Sequence, residues 1–119
     1  MKVQARHLGE ISIIDCSGDV DLYSSPPLRA ALLTEIKADG PSVLVNMAGV
    51  TYIDSSGIAT LVEGLLLSRK TKTRFGLFGL RPNARSVLEL ARLHKVFAIF
   101  ENEAEALEII GSVEPFEEL

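Results

Sequence analysis

The stretch Val43-Leu44-Val45-Asn46-Met47-Ala48-Gly49-Val50-Thr51-Tyr52-Ile53-Asp54-Ser55-Ser56-Gly57-Ile58 decides how this chain folds. Ser42 to Met47 is a short apolar run rich in β-branched residues, the pattern of a strand buried on both faces of a parallel sheet. Asp54-Ser55-Ser56-Gly57 then gathers helix-starting residues, and the pattern changes to a helical period running to about Arg69. Upstream, Val3 to Leu8 and Ile11 to Cys16 read as two strands joined by a tight Gly9-Glu10 turn, the second ended by Ser17-Gly18. Ser24-Ser25-Pro26-Pro27 starts a helix, with serine as cap followed by proline at the first helical position. Leu28, Ala31, Leu32 and Ile36 carry that helix to its stop at Asp39-Gly40-Pro41. Downstream come a strand over Arg74 to Phe78, a helix opened by Pro82, a strand over Val96 to Phe100 and a short helix from Glu103 to Ile110. Such alternation predicts one α/β domain: a mixed, mostly parallel sheet of about five strands packed by about four helices, with an antiparallel first hairpin.

The totals bound what such a domain does. The chain has 119 residues, 47% hydrophobic and 24% charged, enough for one core and little besides. The domain is expected over residues 1–112, followed by an acidic tail over 113–119. From Glu101 onward there are seven acidic residues and no basic one, whereas residues 1–100 carry a net charge of +3. An acidic tail argues against a nucleic-acid binder, which needs clustered Lys and Arg. The basic run Arg69 to Arg74 falls at a helix end, where it offsets the helix dipole. Cys16 is the only cysteine, excluding an intramolecular disulfide and reading as a small core residue. The start of the chain has no signal-peptide pattern, and no apolar run approaches the roughly 20 residues of a membrane span. A cytoplasmic location without membrane insertion is the expectation.

The Asp54 turn admits two readings. Its aspartate and serines are simple caps, each stabilising the helix by about 1 kcal/mol. Alternatively, the free amides and positive dipole at the helix start accommodate a phosphate, which adds about −1.5 to −2 charges beside Asp54. Such a negative patch can abolish docking to a partner without disturbing the fold. Gly57, lacking a side chain, would let a partner approach the backbone. Along the helix, Ile58, Leu61, Val62, Leu65 and Leu66 form the core stripe. At 100° per residue, Ser56, Thr60, Glu63, Gly64 and Leu67 fall opposite, an expected outer docking face.

In order and spacing, these pieces resemble the STAS domain family, named for sulfate transporters and anti-sigma factor antagonists. The resemblance spans nearly the whole chain. It is carried by Gly18-Asp19-Val20-Asp21-Leu22 with Pro26, by Val43 to Met47 leading to Tyr52-Ile53-Asp54-Ser55-Ser56-Gly57-Ile58, by Phe78-Gly79-Leu80-Arg81-Pro82, by Val87-Leu88-Glu89-Leu90 and by Phe97-Ala98-Ile99-Phe100. The resemblance implies a phosphorylation-controlled partner switch of the anti-sigma factor antagonist type. Its partner is an anti-sigma factor serine kinase, bound while the antagonist is unmodified and lost on phosphorylation; a metal-dependent, PP2C-like phosphatase resets the switch. Carried over, Ser55 is the phosphoacceptor, with Ser56 its less favoured neighbour. Asp21, Asp54, Ser56, Gly57, Thr60, Glu63, Gly64 and Leu67 become partner contacts. Many members have glycine where this chain has Arg92, so a differently ended third helix is expected.

Two other readings stand beside the switch. A docking subunit, in a lipid-transport ABC complex or a larger signalling assembly, would use the same fold without modification. An enzyme would need a base within reach of Ser55. His7 and His94 are the only histidines, and no nucleophile elbow, phosphate loop or metal-ligand spacing appears. A non-catalytic domain without cofactor or metal is therefore expected.

Overall fold

The computed structural model describes residues 2–112. In chain order the elements are β1 (Lys2–Leu8), β2 (Ile11–Val20), α1 (Ser25–Glu35), β3 (Ser42–Ile53), α2 (Ser55–Thr71), β4 (Phe75–Phe78), α3 (Pro82–Leu90), β5 (Ala98–Phe100) and α4 (Glu103–Ser112). The strands form one sheet in the order β1-β2-β3-β4-β5. β1 and β2 pair antiparallel, and every later pair is parallel. The expected five strands, four helices and antiparallel first hairpin are all present; residues 113–119, the expected tail, lie outside the described residues.

Neighbouring side chains on a strand point to opposite faces, and this divides the core in two. Ile14, Val43, Val45 and Leu77 lie on the face covered by α1, α2 and α3, through Leu28, Leu32, Leu61, Leu65 and Leu88. Ile13, Leu44, Phe78 and Phe100 lie on the other, covered by Ala106 and Ile110 of α4. Cys16 is buried on the three-helix face, and burial, aided by Asp15, pushes its thiol pKa up to about 12. It is an inert packing residue at neutral pH.

Two strands are longer than their sequence pattern predicts. β2 does not end at Ser17-Gly18 but continues to Val20, and β3 continues past Met47 to Ile53. Their pairing shifts register between Asp15 and Ser17 and again between Gly18 and Asp19. Gly18 has φ +90, a conformation glycine adopts without a Cβ penalty. These bulges break the alternation that marks a strand in sequence while the ladder itself runs on. As a result β2 and β3 extend together, Val20 facing Ile53, and carry the Asp54 turn beyond the end of β4.

The third helix corrects the expectation at Arg92. Arg92 has φ +60, its amide donates to the Glu89 carbonyl at 3.0 Å, and Leu93 N donates to Leu88 O at 2.8 Å. This is the left-handed helix ending that glycine usually supplies. The helix ends as with glycine, at the cost of a strained arginine backbone.

Candidate functional site

The carboxyl ends of β2, β3 and β4 gather three connections at one pole of the sheet: Asp21–Ser24, the Asp54 turn, and Gly79–Arg81. Open α/β sheets present their ligand-binding loops at this end. Backbone and side-chain bonds lock the loops together. Asp54 N donates to Val20 O at 3.2 Å, and Arg81 Nε donates to Ala48 O at 2.8 Å. β4 pairs with β3 only as far as Asn46, so the outer part of β3 needs other partners on that side. Asn83 on α3 supplies one, its Oδ1 accepting from Ile53 N at 3.1 Å. Sequence reasoning missed Asn83; its one signal is a side-chain acceptor directly after the helix-opening Pro82.

The Asp54 turn separates the roles that its residues share in sequence. Asp54 is the cap: its Oδ1 accepts from Ser56 N at 2.9 Å and Gly57 N at 3.2 Å. Ser55 is the first residue of α2. Its side chain is exposed, and its hydroxyl is hydrogen-bonded to no described residue. Ser56 is half-buried, and its carbonyl accepts from Thr60 Oγ1 at 3.1 Å. The Ser56 hydroxyl is likewise hydrogen-bonded to no described residue, so it is exposure that distinguishes the two: Ser55 presents its hydroxyl to solvent more fully. A phosphate there would stand at a helix N-terminus, where the dipole favours it, yet beside a carboxylate already holding two of the first amides.

Gly57 serves the fold rather than an approaching backbone. A Cβ at Gly57 would lie 2.6 Å from Ile53 Cγ1 and 2.8 Å from both Val20 Cγ1 and Val20 O. The absent side chain lets the first turn of α2 sit on the ends of β2 and β3.

The expected outer face of α2 is also corrected: α1 covers much of it. Thr60 and Gly64 are buried. A Cβ on Gly64 would come within 3.2 Å of Leu32 Cδ1 on α1. Glu63 accepts from Arg29 of α1 through two bonds of 2.8 Å, and Leu67 packs at the margin of the core. Leu66, assigned to the core stripe from its spacing, is instead 58% exposed. The helical wheel places residues relative to one neighbour; here α2 packs against both sheet and α1, so its solvent-facing strip is narrower and rotated.

Asp21 sits at the same pole, but its carboxylate is engaged within its own loop. Oδ1 accepts from the amides of Tyr23 and Ser24 at 3.0 Å each, with Ser24 Oγ 2.9 Å away. The Ser24 hydroxyl, followed by the Ser24 amide, holds the Asp21 pKa below the usual carboxylate value. Ser24 makes no side-chain cap to α1; its hydroxyl accepts from Asp21 N at 2.9 Å and shares its one proton between Asp19 O, at 2.7 Å, and Asp21 Oδ1.

Neither histidine belongs to this pole. His7 pairs with Ser12 and Ser12 with Val43, at the far end of β3 from Asp54; its Nε2 lies 2.7 Å from Glu35 Oε1. His94 lies in the connection that re-enters the sheet at the start of β5. Among the described residues, no helix is long and apolar enough to cross a membrane.

Comparison with known proteins agrees with this architecture. The STAS domain family model matches residues 2–106. An anti-sigma-B factor antagonist of Listeria monocytogenes is 25% identical over 105 residues, covering 88% of this chain and 91% of that protein. The crystal structure of an anti-sigma factor antagonist from Mycobacterium paratuberculosis has a TM-score of 0.83 at 23% identity, covering 93% and 94% of the two chains. The Bacillus cell fate determinant SpoIIAA in its phosphorylated form has a TM-score of 0.73 at 20% identity, covering 92% and 99%. These structural likenesses establish a shared fold.

Proposed function

This chain belongs to the STAS domain family, and from that premise we propose that it is an anti-sigma factor antagonist, a non-catalytic partner switch controlled at Ser55. Unmodified, it binds an anti-sigma factor that is a serine kinase; phosphorylated on Ser55, it is released, and a PP2C-like phosphatase returns it to the binding form. The observation that carries the reading is the division of labour in the turn. Asp54 does the capping, which leaves the Ser55 hydroxyl exposed and without a hydrogen-bond partner among the described residues. Modification there breaks no bond of the fold, yet it places about −1.5 to −2 charges beside the Asp54 carboxylate. Docked surfaces are intolerant of such unpaired like charge.

The partner surface in this reading centres on Asp54, Ser55 and the exposed edge of Ser56, with the Asp21 loop beside it. Glu63 and Leu67 border it further along α2. Gly57, Thr60 and Gly64 contribute from beneath, by setting how α2 sits on β2, β3 and α1. A docking subunit without modification has no need of an unbonded serine at the helix start, which favours the switch.

Incubation with the cognate kinase and ATP, followed by mass spectrometry, tests the proposal. One phosphate on Ser55 is expected, absent in Ser55→Ala, with weakened kinase binding in Ser55→Asp. Phosphate on another residue, or undiminished labelling of Ser55→Ala, would refute the assignment.

A further inference from the structure

The loop between β2 and α1 places two large apolar side chains in water. Leu22 is 65% exposed and Tyr23 is 89% exposed, consecutive residues at the tip of one loop. Single exposed apolar residues are ordinary, but this pair is held rather than loose. The Asp21 carboxylate accepts from Tyr23 N and Ser24 N, Ser25 N donates to Asp21 O at 2.8 Å, and the Ser24 hydroxyl ties the loop back to Asp19 O. Backbone bonds on both sides of the tip fix its shape before anything binds. A preorganised tip loses little conformational freedom on docking.

The tip is also continuous with the serine turn. Val20, one residue before Asp21, faces Ile53, accepts from Asp54 N and lies against Gly57. The loop that carries Leu22 and Tyr23 and the turn that carries Ser55 therefore leave the same end of the β2–β3 pair.

We propose that Leu22 and Tyr23 are the apolar anchor by which the kinase partner grips this domain, and that Asp21 is the positioning residue that presents them. The inference rests on the partner-switch reading and adds to it the chemistry of the partner: an apolar pocket adjoining the cleft that receives the Ser55 hydroxyl. Tyrosine suits such a role, with a large ring to bury and a polar tip that tolerates a wet rim. The two parts of the surface then divide the work. Leu22 and Tyr23 supply affinity, and the charge state of Ser55 switches it.

The test uses the full chain and the purified kinase that phosphorylates it in the source organism, with affinity read by calorimetry. Tyr23→Ala and Leu22→Ala should each weaken binding about tenfold or more, the size of effect expected of a buried anchor. Their thermal unfolding should match the parent chain, because neither side chain is buried. Leu90→Ala, at an 86% exposed position at the end of α3, should bind as the parent does. Asp21→Ala should weaken binding comparably to Tyr23→Ala, and Asp21→Asn, which keeps the Oδ1 acceptor, should restore most of it. Unaltered affinity in Leu22→Ala and Tyr23→Ala would overturn the anchor and leave the partner switch standing. So would self-association of the parent chain that Tyr23→Ala abolishes without altering kinase affinity. If no kinase of the organism binds or phosphorylates the chain, the partner switch falls and the anchor falls with it.

Discussion

Gly57 and Val20 lie so close that a β-carbon on the glycine would stand 2.8 Å from both the carbonyl oxygen and Cγ1 of the valine. The valine carbonyl also accepts the Asp54 amide, so it is not free to yield. This contact sets the height of the first turn of α2 above the sheet, and with it the position of Ser55. Gly57→Ala should therefore destabilise the domain by about 1–3 kcal/mol, the range for overpacking a tight site. Urea unfolding should show a lower midpoint with an unchanged slope.

Asp54 and Ser55 should behave oppositely although they are neighbours. Asp54→Ala removes the acceptor for two helix amides and should cost about 1 kcal/mol, most of it recovered in Asp54→Asn. Ser55→Ala alters an exposed side chain without a hydrogen-bond partner among the described residues and should stay within about 0.5 kcal/mol of the parent. Equal losses in the two variants, measured by thermal or urea unfolding, would mean that the serine also acts as a cap.

The order of elements was legible in sequence because strand and helix periods alternate cleanly. The alternation predicts every strand and helix, but not where β2 and β3 end, since the register shifts between Asp15 and Ser17 and between Gly18 and Asp19 break the strand pattern and imitate a turn. Within the site, the Asp54-Ser55-Ser56-Gly57 run marked the turn, yet its cap, free hydroxyl and packing glycine separate only once distances are known. The face of Thr60, Gly64 and Leu67 was misplaced for a related reason: a single helix gives its own periodicity, not the position of a second helix laid across it. Leu22 enters the sequence reading only within the Gly18-Asp19-Val20-Asp21-Leu22 resemblance and Tyr23 not at all, because an exposed apolar pair and a buried one are spelled alike.

Glu35 ties the end of α1 to the first hairpin and should make stability depend on acid. Its Oε1 accepts from the buried Ser12 hydroxyl at 2.6 Å and lies 2.7 Å from His7 Nε2. The Ser12 bond, with a further contribution from His7, holds its pKa below the usual glutamate value. A carboxyl depressed on folding stabilises the native state above its unfolded pKa of about 4.3. That contribution is lost as pH falls from there through the lower folded value. Glu35→Gln should flatten this part of the stability profile, and Ser12→Ala should flatten it partly. Unfolding free energies measured from neutral pH into the acid range check both, and parallel profiles for Glu35→Gln and the parent would contradict the assignment.

Arg92 offers a change that should strengthen the domain. It is one of three non-glycine residues with positive φ among the described residues, together with Asp39 and Lys72. An L side chain in that conformation costs roughly 1–2 kcal/mol. The bonds that end α3, Arg92 N to Glu89 O and Leu93 N to Leu88 O, are made by the backbone and do not require the guanidinium, and the side chain is exposed. Arg92→Gly should keep the same ending and release the strain. Part of that gain is offset by the larger freedom of glycine in the unfolded chain, about 0.4–1 kcal/mol. A net stabilisation of about 0.5–1 kcal/mol should remain, read as a higher urea midpoint with an unchanged slope. Arg92→Ala, which keeps the β-carbon, should show no such gain, and that contrast isolates the backbone as the source.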